Sequence, residues 1–583
     1  MARGIDVIIR IGGEGGEGVI SAGDIITQAL ARCSMEIYAF RTYPAEIKGG
    51  HAVYQVRASD EMLLSQGDGI DVLVAFNQEA YDRHVAELKP PGILVYDTDA
   101  FEPPAEFKGI RYGAPISTVT REKVGSNLTK NIVFVGVVAE LFGIPLDRFE
   151  ELLKQRYGKK GAEAMEKNLV ALKAGAEHVR EHIVKQDAIK ITPRERAPRL
   201  VVSGNEALSI GAIAAGLKVY AGYPITPASD IMEWLAKELP KFGGSVVQTE
   251  DEIAAIGAVL GASFAGKKAM TATSGPGFSL MVELLGLATM TELPAVIVNV
   301  QRCGPSTGMP TKTEQSDLGL AIYGAHGGAP RIVMALSSVE DCFYGIIRAF
   351  NFSERFQVPV VVLSDQYLGH RKASINIPDL SQVQIEERAK PTVEELQAYR
   401  RYRMTETLVS PMAIPGEMRA CYTASGLEHD EAAALNHEPA NHQKMVAKRF
   451  KKLDAIKHMT GLARRYGVDD PEVAVIGWGS TEGVIREAVD LAQRRGIRVG
   501  ALHPKVISPL PEDDIRSFLK TVKKVIVPEL NYDGQFAKWL RGFFDIDVVS
   551  LAKAGGAPFS PKEIVDKIEE VSRNVHTTAV PGV

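Results

Sequence analysis

Thr226 stands between two prolines in the run Ala221-Gly222-Tyr223-Pro224-Ile225-Thr226-Pro227. Prolines on both sides of one hydroxyl fix the surrounding dihedrals. A hydroxyl held that way meets a small substrate at a set distance, although the same run also reads as a rigid surface turn. Downstream, Gln248-Thr249-Glu250-Asp251-Glu252 places three carboxylates ahead of a run of small residues, Ala254 to Ala265. Ser274-Gly275-Pro276-Gly277 is a glycine stretch of the kind that admits close approach to the backbone. Arg302-Cys303-Gly304-Pro305-Ser306-Thr307-Gly308-Met309-Pro310-Thr311 adds a guanidinium followed by several hydroxyls.

The elements that must hold these groups alternate. Lys218 to Ala221 is a short apolar run that stops at Gly222, and a helix opens at about Ser229. Asp230 falls in its first turn, where an acid suits the dipole. Ala254 to Ala265 reads as a helix, Ala269 to Thr273 as a strand, Ser274 to Gly277 as a loop before another helix, and Ala295 to Val300 as a strand. The polar and glycine residues thus sit where strands end, and in an open parallel sheet ligands bind at those ends.

YPITP, EDEIAAIGA, TSGPG and QRCGPSTGMPT, in that order, resemble the catalytic subunit of the 2-oxoacid:ferredoxin oxidoreductases. These are thiamine-diphosphate enzymes that oxidatively decarboxylate a 2-oxoacid to its acyl-CoA. The resemblance covers nearly the whole chain and is to the fused gamma–alpha subunit. It implies that Glu252 is the acid hydrogen-bonded to N1′ of the aminopyrimidine, a task that suits a carboxyl buried against the ring. Glu250 and Asp251 read as exposed helix-start acids instead. Arg302 stands where the family grips the 2-oxoacid carboxylate, for which a planar fork suits better than a lysine. Thr226 and Thr311 would add hydroxyls to the same oxygens. The implied catalytic set is therefore Glu252, Thr226 and Arg302. Tyr223, Pro224, Ile225 and Thr226, with Ser274, Gly275 and Pro276, are the implied cofactor contacts.

Composition agrees with a soluble multidomain enzyme. The chain has 583 residues, enough for three or four domains. A net charge of −5 argues against nucleic acid or an anionic membrane as the main partner. No apolar run reaches a membrane span, and no secretory segment precedes the first strand, so a cytoplasmic location is expected. The cysteines Cys33, Cys303, Cys342 and Cys421 are isolated, without a C-x-x-C pair. If electrons pass to ferredoxin, as the resemblance implies, a [4Fe-4S] cluster sits on another subunit.

Fold and domains follow the same alternation: α/β, with open, mostly parallel sheets. Residues 1–185 form the expected gamma domain and 186–198 a charged linker with two prolines. The resemblance implies a thiamine-pyrimidine-binding domain over 199–390 and a transketolase-C-like domain over 457–583, with 391–456 read as an extended connection wrapping a partner. In the first domain the strand Asp6 to Ile11 leads into Gly12-Gly13-Glu14-Gly15-Gly16-Glu17-Gly18 and a helix, so Gly13, Gly15 and Gly18 spell G-x-G-x-x-G. The second strand ends in Arg41 rather than an acid, so an NADP-like site stays open as an alternative, as does a glycine turn for helix packing. The run Arg41-Thr42-Tyr43-Pro44-Ala45-Glu46-Ile47-Lys48-Gly49-Gly50 stands where the family has a YGPEVRGG-like stretch. From that resemblance Gly15, Gly16, Gly18 and Arg41 are expected to contact coenzyme A, a phosphate resting at the helix N-terminus.

Three other signals read as decoys. Gly67-Asp68-Gly69 imitates the opening of a magnesium–diphosphate motif, but Asp97 and Asp99 follow it where an Asn is needed, so it reads as a turn. His178-Val179-Arg180-Glu181-His182 spells H-x-x-E-H in a charged helix tail. His429 among acids reads as a surface cluster. No metal ligand is assigned to this chain. Magnesium and the diphosphate would belong to a beta subunit, in a heterotetramer of two alpha and two beta chains. Glu529-Leu530-Asn531-Tyr532-Asp533-Gly534-Gln535 resembles the family's transketolase-C signature, with a structural role. Fusion of the domains, with Arg302 and PSTGMPT, leans toward 2-oxoglutarate; pyruvate and branched-chain or aryl 2-oxoacids are alternatives. A non-oxidative thiamine enzyme would need a diphosphate motif here. A nucleotide-binding protein without chemistry would bind NAD(P) at Gly13 to Gly18.

Overall fold

A nine-residue strand, a glycine turn and a helix begin the chain: Asp6–Glu14 and then Val19–Arg32. The computed structural model describes residues 4–42 and 49–577, so Tyr43 to Lys48 of the expected YGPEVRGG-like stretch lie outside the described residues. The chain divides into two compact units. The first takes residues up to Val202 together with Arg371–Ile377; the second takes Ser203–His370 and Pro378 onward.

In the first unit eight strands run in the order Ile110–Ala114, Leu88–Asp97, Ile70–Ala75, Asp6–Glu14, His51–Ser59, Glu36–Thr42, Lys372–Asn376 and Arg199–Ser203. The half from Ile110–Ala114 to Asp6–Glu14 is parallel. From Asp6–Glu14 through His51–Ser59 and Glu36–Thr42 to Lys372–Asn376 the pairing is antiparallel; between Glu36–Thr42 and His51–Ser59 the link from Thr42 to His51 is too short to carry a crossover helix. This antiparallel stretch is the larger exception in sheets that are otherwise mostly parallel, as expected. The helix Lys130–Phe142 is apolar all round and correspondingly buried, packed against Ala162–His182 in the core. His178 and His182 sit on the latter helix with ring centroids 4.8 Å apart, and no group of three or more metal-ligating side chains occurs among the described residues. Gly67 and Gly69 both take positive φ, as a turn requires.

The second unit holds two sheets among the described residues. One orders Val506–Ser508, Ile332–Ala335, Pro359–Asp365, Ala295–Gln301, Ala269–Thr273, Val219–Gly222 and Ser245–Gln248, all parallel except Val506–Ser508. The other orders Ala463–Gly467, Val499–Pro504, Val473–Ile476, Lys524–Glu529 and Val548–Ala552, antiparallel only at Ala463–Gly467. One hydrophobic core runs through both sheets, joining Ala255, Phe278 and Ile297 to Trp478, Leu502 and Phe536. Lengths and runs of β-branched residues fit strands buried on both faces.

Two expectations about the stretch after residue 391 change. Its end, expected to be extended, is a helix, Pro439–Lys451. The four-residue spacing of Lys448 and Lys452 puts both ammoniums on one face. Both are buried on Glu292, with Nζ···O distances of 2.6 and 2.9 Å. Burial favours the neutral acid, but Lys452 and Lys448 outweigh it and hold the Glu292 carboxyl well below the usual range. His429, expected at the surface, is fully buried against the Tyr402 ring at 4.0 Å, and its Nδ1 lies 3.0 Å from the Leu427 carbonyl oxygen. Burial pushes its pKa down, as for a neutral core histidine.

Candidate active site

Parallel pairing brings the carboxyl ends of four strands together: Gly222, Gln248, Thr273 and Gln301. Each expected site residue of the second unit follows one of these ends. Past Gly222, Tyr223 and Pro224 are exposed, and Ile225 and Thr226 are half-buried. The backbone is tied down where Thr249 N donates to Gly222 O at 3.0 Å. Past Gln248, Asp251 caps the helix Glu252–Phe264 by accepting from Ala254 N at 2.8 Å. Glu252 is then the first helical residue, and it points inward while Ile253 and Ala254 face out.

Glu252 is 5% exposed. Its carboxylate lies against Gly277, where an added Cβ would stand 2.3 Å from Oε1 and 2.2 Å from Thr273 Oγ1. Only glycine fits there. Among the described residues nothing donates a hydrogen bond to that carboxylate, which leaves it available to a ligand. The expected Ser274–Gly277 loop is instead the N-cap and first turn of the helix Gly275–Met290. Pro276 fits this position because the first turn needs no N–H there. Ser274 Oγ is buried without a hydrogen-bond partner among the described residues.

Arg302 follows Gln301 and is 8% exposed. Its Nη1 donates to the Thr226 carbonyl oxygen at 2.7 Å, while Nε is buried without a partner among the described residues. The structure thus joins Arg302 and Thr226, through the threonine's backbone rather than its hydroxyl. Thr311 is half-buried in a loop pinned by Cys303 N donating to Lys312 O at 3.0 Å and Met309 N to Cys303 O at 3.1 Å. Burial and the nearby Glu314 push the Cys303 thiol up to about 12, which removes it as a nucleophile.

Two residues of this cluster escaped the sequence reading. Asn299 Nδ2 donates to Asp317 Oδ2 at 2.9 Å, and that oxygen stands 2.9 Å from where a Cβ on Gly275 would be. Burial raises the Asp317 carboxyl, with Asn299 and Arg302 opposing. The one available signal was Asn299 itself, a polar residue inside the apolar strand Ala295–Gln301. The Glu529–Gln535 stretch holds the following loop: Gln315 N donates to Leu530 O at 2.6 Å, Asn531 Nδ2 to Gln315 O at 3.1 Å, and Gln535 Nε2 to Ser316 O at 2.9 Å.

The cleft fits the aminopyrimidine half of thiamine diphosphate. Glu252, with no protein donor, can hydrogen-bond a ring nitrogen, the Gly277 surface admits a flat ring, and Ser274 Oγ and Arg302 Nε await partners.

The first unit's glycine turn differs. Gly15 N already donates to Gly50 O at 2.8 Å. Glu17 Oε2 accepts from Glu14 N at 2.7 Å and from Asn77 Nδ2 at 3.0 Å. Gly18, at φ 85, is the N-cap of the helix. An acid therefore faces the place where a phosphate was expected, which weakens both the nucleotide reading and a phosphate at this helix start. Arg41 is half-buried on the strand Glu36–Thr42.

Comparison with known proteins agrees with this arrangement. Residues 8–178 match the family described as pyruvate ferredoxin/flavodoxin oxidoreductase. Residues 210–448 match its thiamine-diphosphate-binding region, and 471–564 match the pyruvate:ferredoxin oxidoreductase core domain II. The 2-oxoglutarate oxidoreductase subunit KorA of Mycobacterium tuberculosis is 35% identical, over 96% of this chain and 90% of that one. The 2-oxoglutarate synthase subunit KorA of Methanothermobacter marburgensis is 40% identical over 63% of this chain and 97% of its own length. The 2-oxoglutarate:ferredoxin oxidoreductase of Magnetococcus marinus was solved with 2-oxoglutarate, coenzyme A and succinyl-CoA bound. It superposes with a TM-score of 0.93 at 45% identity, over 97% of this chain and 99% of that one. No helix among the described residues is long and apolar enough to cross a membrane. With both the region matching the thiamine-diphosphate-binding model and the amino-terminal segment in one polypeptide, the chain belongs to the 2-oxoacid:ferredoxin oxidoreductase family, as a fused gamma–alpha subunit.

Proposed function

We propose that this subunit, assembled with a beta subunit, decarboxylates 2-oxoglutarate oxidatively, forming succinyl-CoA and CO2 and passing electrons to ferredoxin. The observation that carries the reading is Glu252, a buried residue packed on Gly277 whose carboxylate receives no hydrogen bond among the described residues, together with the unpartnered Ser274 Oγ and Arg302 Nε. The choice of 2-oxoglutarate is supported by the names of the relatives and by the ligands of the Magnetococcus marinus enzyme.

When bound, thiamine diphosphate supplies the nucleophilic carbon and the electron sink that decarboxylation of a 2-oxoacid requires. This chain's residues do the rest. Glu252 holds a proton on its carboxyl for the ring nitrogen N1′. Tyr223, Pro224, Ile225, Ser274, Gly275 and Pro276 line the ring's place. Arg302 binds and orients the substrate carboxylate with its free Nε edge, and Thr226 and Thr311 offer hydroxyls beside it. Coenzyme A is assigned to Gly15, Gly16, Gly18 and Arg41, through the open face at Gly16 and the charge of Arg41 rather than the helix-start amides that Glu17 faces. Magnesium, the diphosphate and a [4Fe-4S] cluster are assigned to the beta subunit, in a heterotetramer of two copies of each chain in the cytoplasm. The segments 1–185, 199–390 and 457–583 are the corresponding gamma, thiamine-pyrimidine and transketolase-C-like domains.

The test is dye reduction by the co-purified complex with coenzyme A and a panel of 2-oxoacids. The highest kcat/KM is expected with 2-oxoglutarate. A higher value with pyruvate or a branched-chain acid overturns the substrate, and rates independent of thiamine diphosphate overturn the reaction.

A further inference from the structure

The second unit contains a half-enclosed cavity of about 420 Å³ that shares no lining residue with the thiamine site. Its volume is that of a small-molecule site. Aromatic rings make its walls: Trp539 meets Tyr323 edge-on at 5.7 Å and Phe543 at 4.7 Å. Trp539 Nε1 donates to Ile507 O at 2.9 Å, so the indole is held in place. Phe450, 46% exposed, closes another side against Gly328.

Arg331 lines the same cavity and is 3% exposed. Its Nη1 donates to Gly324 O at 2.9 Å and its Nε to Ala329 O at 3.3 Å. Nη2 has no acceptor, and no carboxylate pairs with the guanidinium among the described residues. Burial lowers its pKa to about 10, with no acid opposing, so the group is still charged at neutral pH. A buried charge without a counter-charge is costly, and a structure that keeps one keeps it for an anion. The rim adds to this sign. Lys451 is exposed without an ion pair among the described residues, whereas Lys457 is matched by Asp454 at 2.8 Å.

We propose that this cavity binds a small organic carboxylate with an apolar body, the carboxylate on Arg331 and the body between Trp539, Phe543 and Phe450. A guanidinium fork is shaped for two carboxylate oxygens, and the aromatic walls offer little to a fully polar anion. The site stands apart from the assigned reaction and does not depend on it.

The test uses the assembled complex, with 4-phenylbutyrate as probe and 4-phenylbutan-1-ol as the match lacking only the charge. The chain has three tryptophans, and Trp539→Phe identifies the emission that reports the cavity. Saturable quenching by the acid is expected below millimolar concentration, at least tenfold weaker with the alcohol and tenfold weaker in Arg331→Gln. Because Arg331 is buried, Lys451→Glu on the rim gives a second reading: weaker binding of the acid, by about threefold, and unchanged binding of the alcohol. Equal affinity for acid and alcohol, or no saturable response in the complex, overturns the proposal. So does a response of the free subunit that vanishes on assembly, which would make the occupant a protein partner. Inorganic phosphate competing as well as 4-phenylbutyrate would overturn the apolar body.

Discussion

Two strand–glycine–helix turns invite the same reading and turn out differently. The turn after Asp6–Glu14 is richer in glycine, yet its groups are already satisfied: Gly15 N on Gly50 O, and Glu17 on Glu14 N and Asn77 Nδ2. The turn after Ala269–Thr273 is plainer, but among the described residues it leaves the buried Ser274 hydroxyl without a partner, and the Glu252 carboxylate packed on it receives no hydrogen bond. A glycine motif states that something may approach the backbone; unsatisfied polar groups around it state that a ligand does. The comparison favours the second turn as the site of chemistry and leaves the first a supporting role.

The hardest blow to that comparison is Glu252→Gln. It is expected to cut kcat by two to three orders of magnitude, about 3–4 kcal/mol, with assembly of the complex intact by gel filtration. Near-normal turnover would mean that the acid is not at the ring. Arg302→Ala comes next, at about 2–3 kcal/mol in kcat/KM, chiefly as a raised KM for the 2-oxoacid, with Arg302→Lys in between. An unchanged KM would send the substrate carboxylate elsewhere. Gly277→Ala against Gly16→Ala sets the two turns side by side. A Cβ at 277 strikes Glu252 and Thr273, so thiamine diphosphate affinity should fall about 30-fold, roughly 2 kcal/mol. At 16 a Cβ meets nothing within 4 Å, although φ is 106; the cost there is about 1 kcal/mol of stability, with cofactor affinity unchanged. Equal losses of affinity in calorimetry would erase the distinction.

The smallest effect concerns Asp317. Burial raises its carboxyl, so its stabilising share is full below the ordinary aspartate range and is lost as pH rises through the raised value. Above the raised value the ionised group weakens the cofactor-free protein. Asp317→Asn is expected to raise Tm by about a degree at pH 7, on the order of 0.5 kcal/mol, and by nothing near pH 3. A lower Tm at pH 7 would show that the charge is held by stronger partners than Asn299.

The sequence conveyed the alternation of strands and helices and the residues at strand ends, because periodicity and glycine are local signals. It conveyed less where meaning depends on distant partners. Asp317 becomes part of the site only through Asn299 and Gly275, which come from two other strand ends. Lys448 and Lys452 read as a charged run until Glu292, far back in the chain, gives them one buried counter-ion. Their spacing of four was a legible hint of one helix face. His429 looked solvated because its neighbours in sequence are acids, but its neighbours in space are Tyr402 and a carbonyl. The antiparallel pairing of Glu36–Thr42 with His51–Ser59 follows from the short connection between them, a local signal.

The ribbon Lys372–Asn376 is synthesised long after the sheet it completes. It lies between Glu36–Thr42 and Arg199–Ser203, where Ser374 Oγ receives the Ile37 amide at 2.7 Å and Lys372 reaches Asp24. A ribosome that has released only the first two hundred or so residues has therefore made an unfinished sheet with a bare margin. Cutting the gene there would not yield a faithful half-protein, and an excised amino-terminal fragment would need this ribbon grafted back, or a chaperone, to stay in solution.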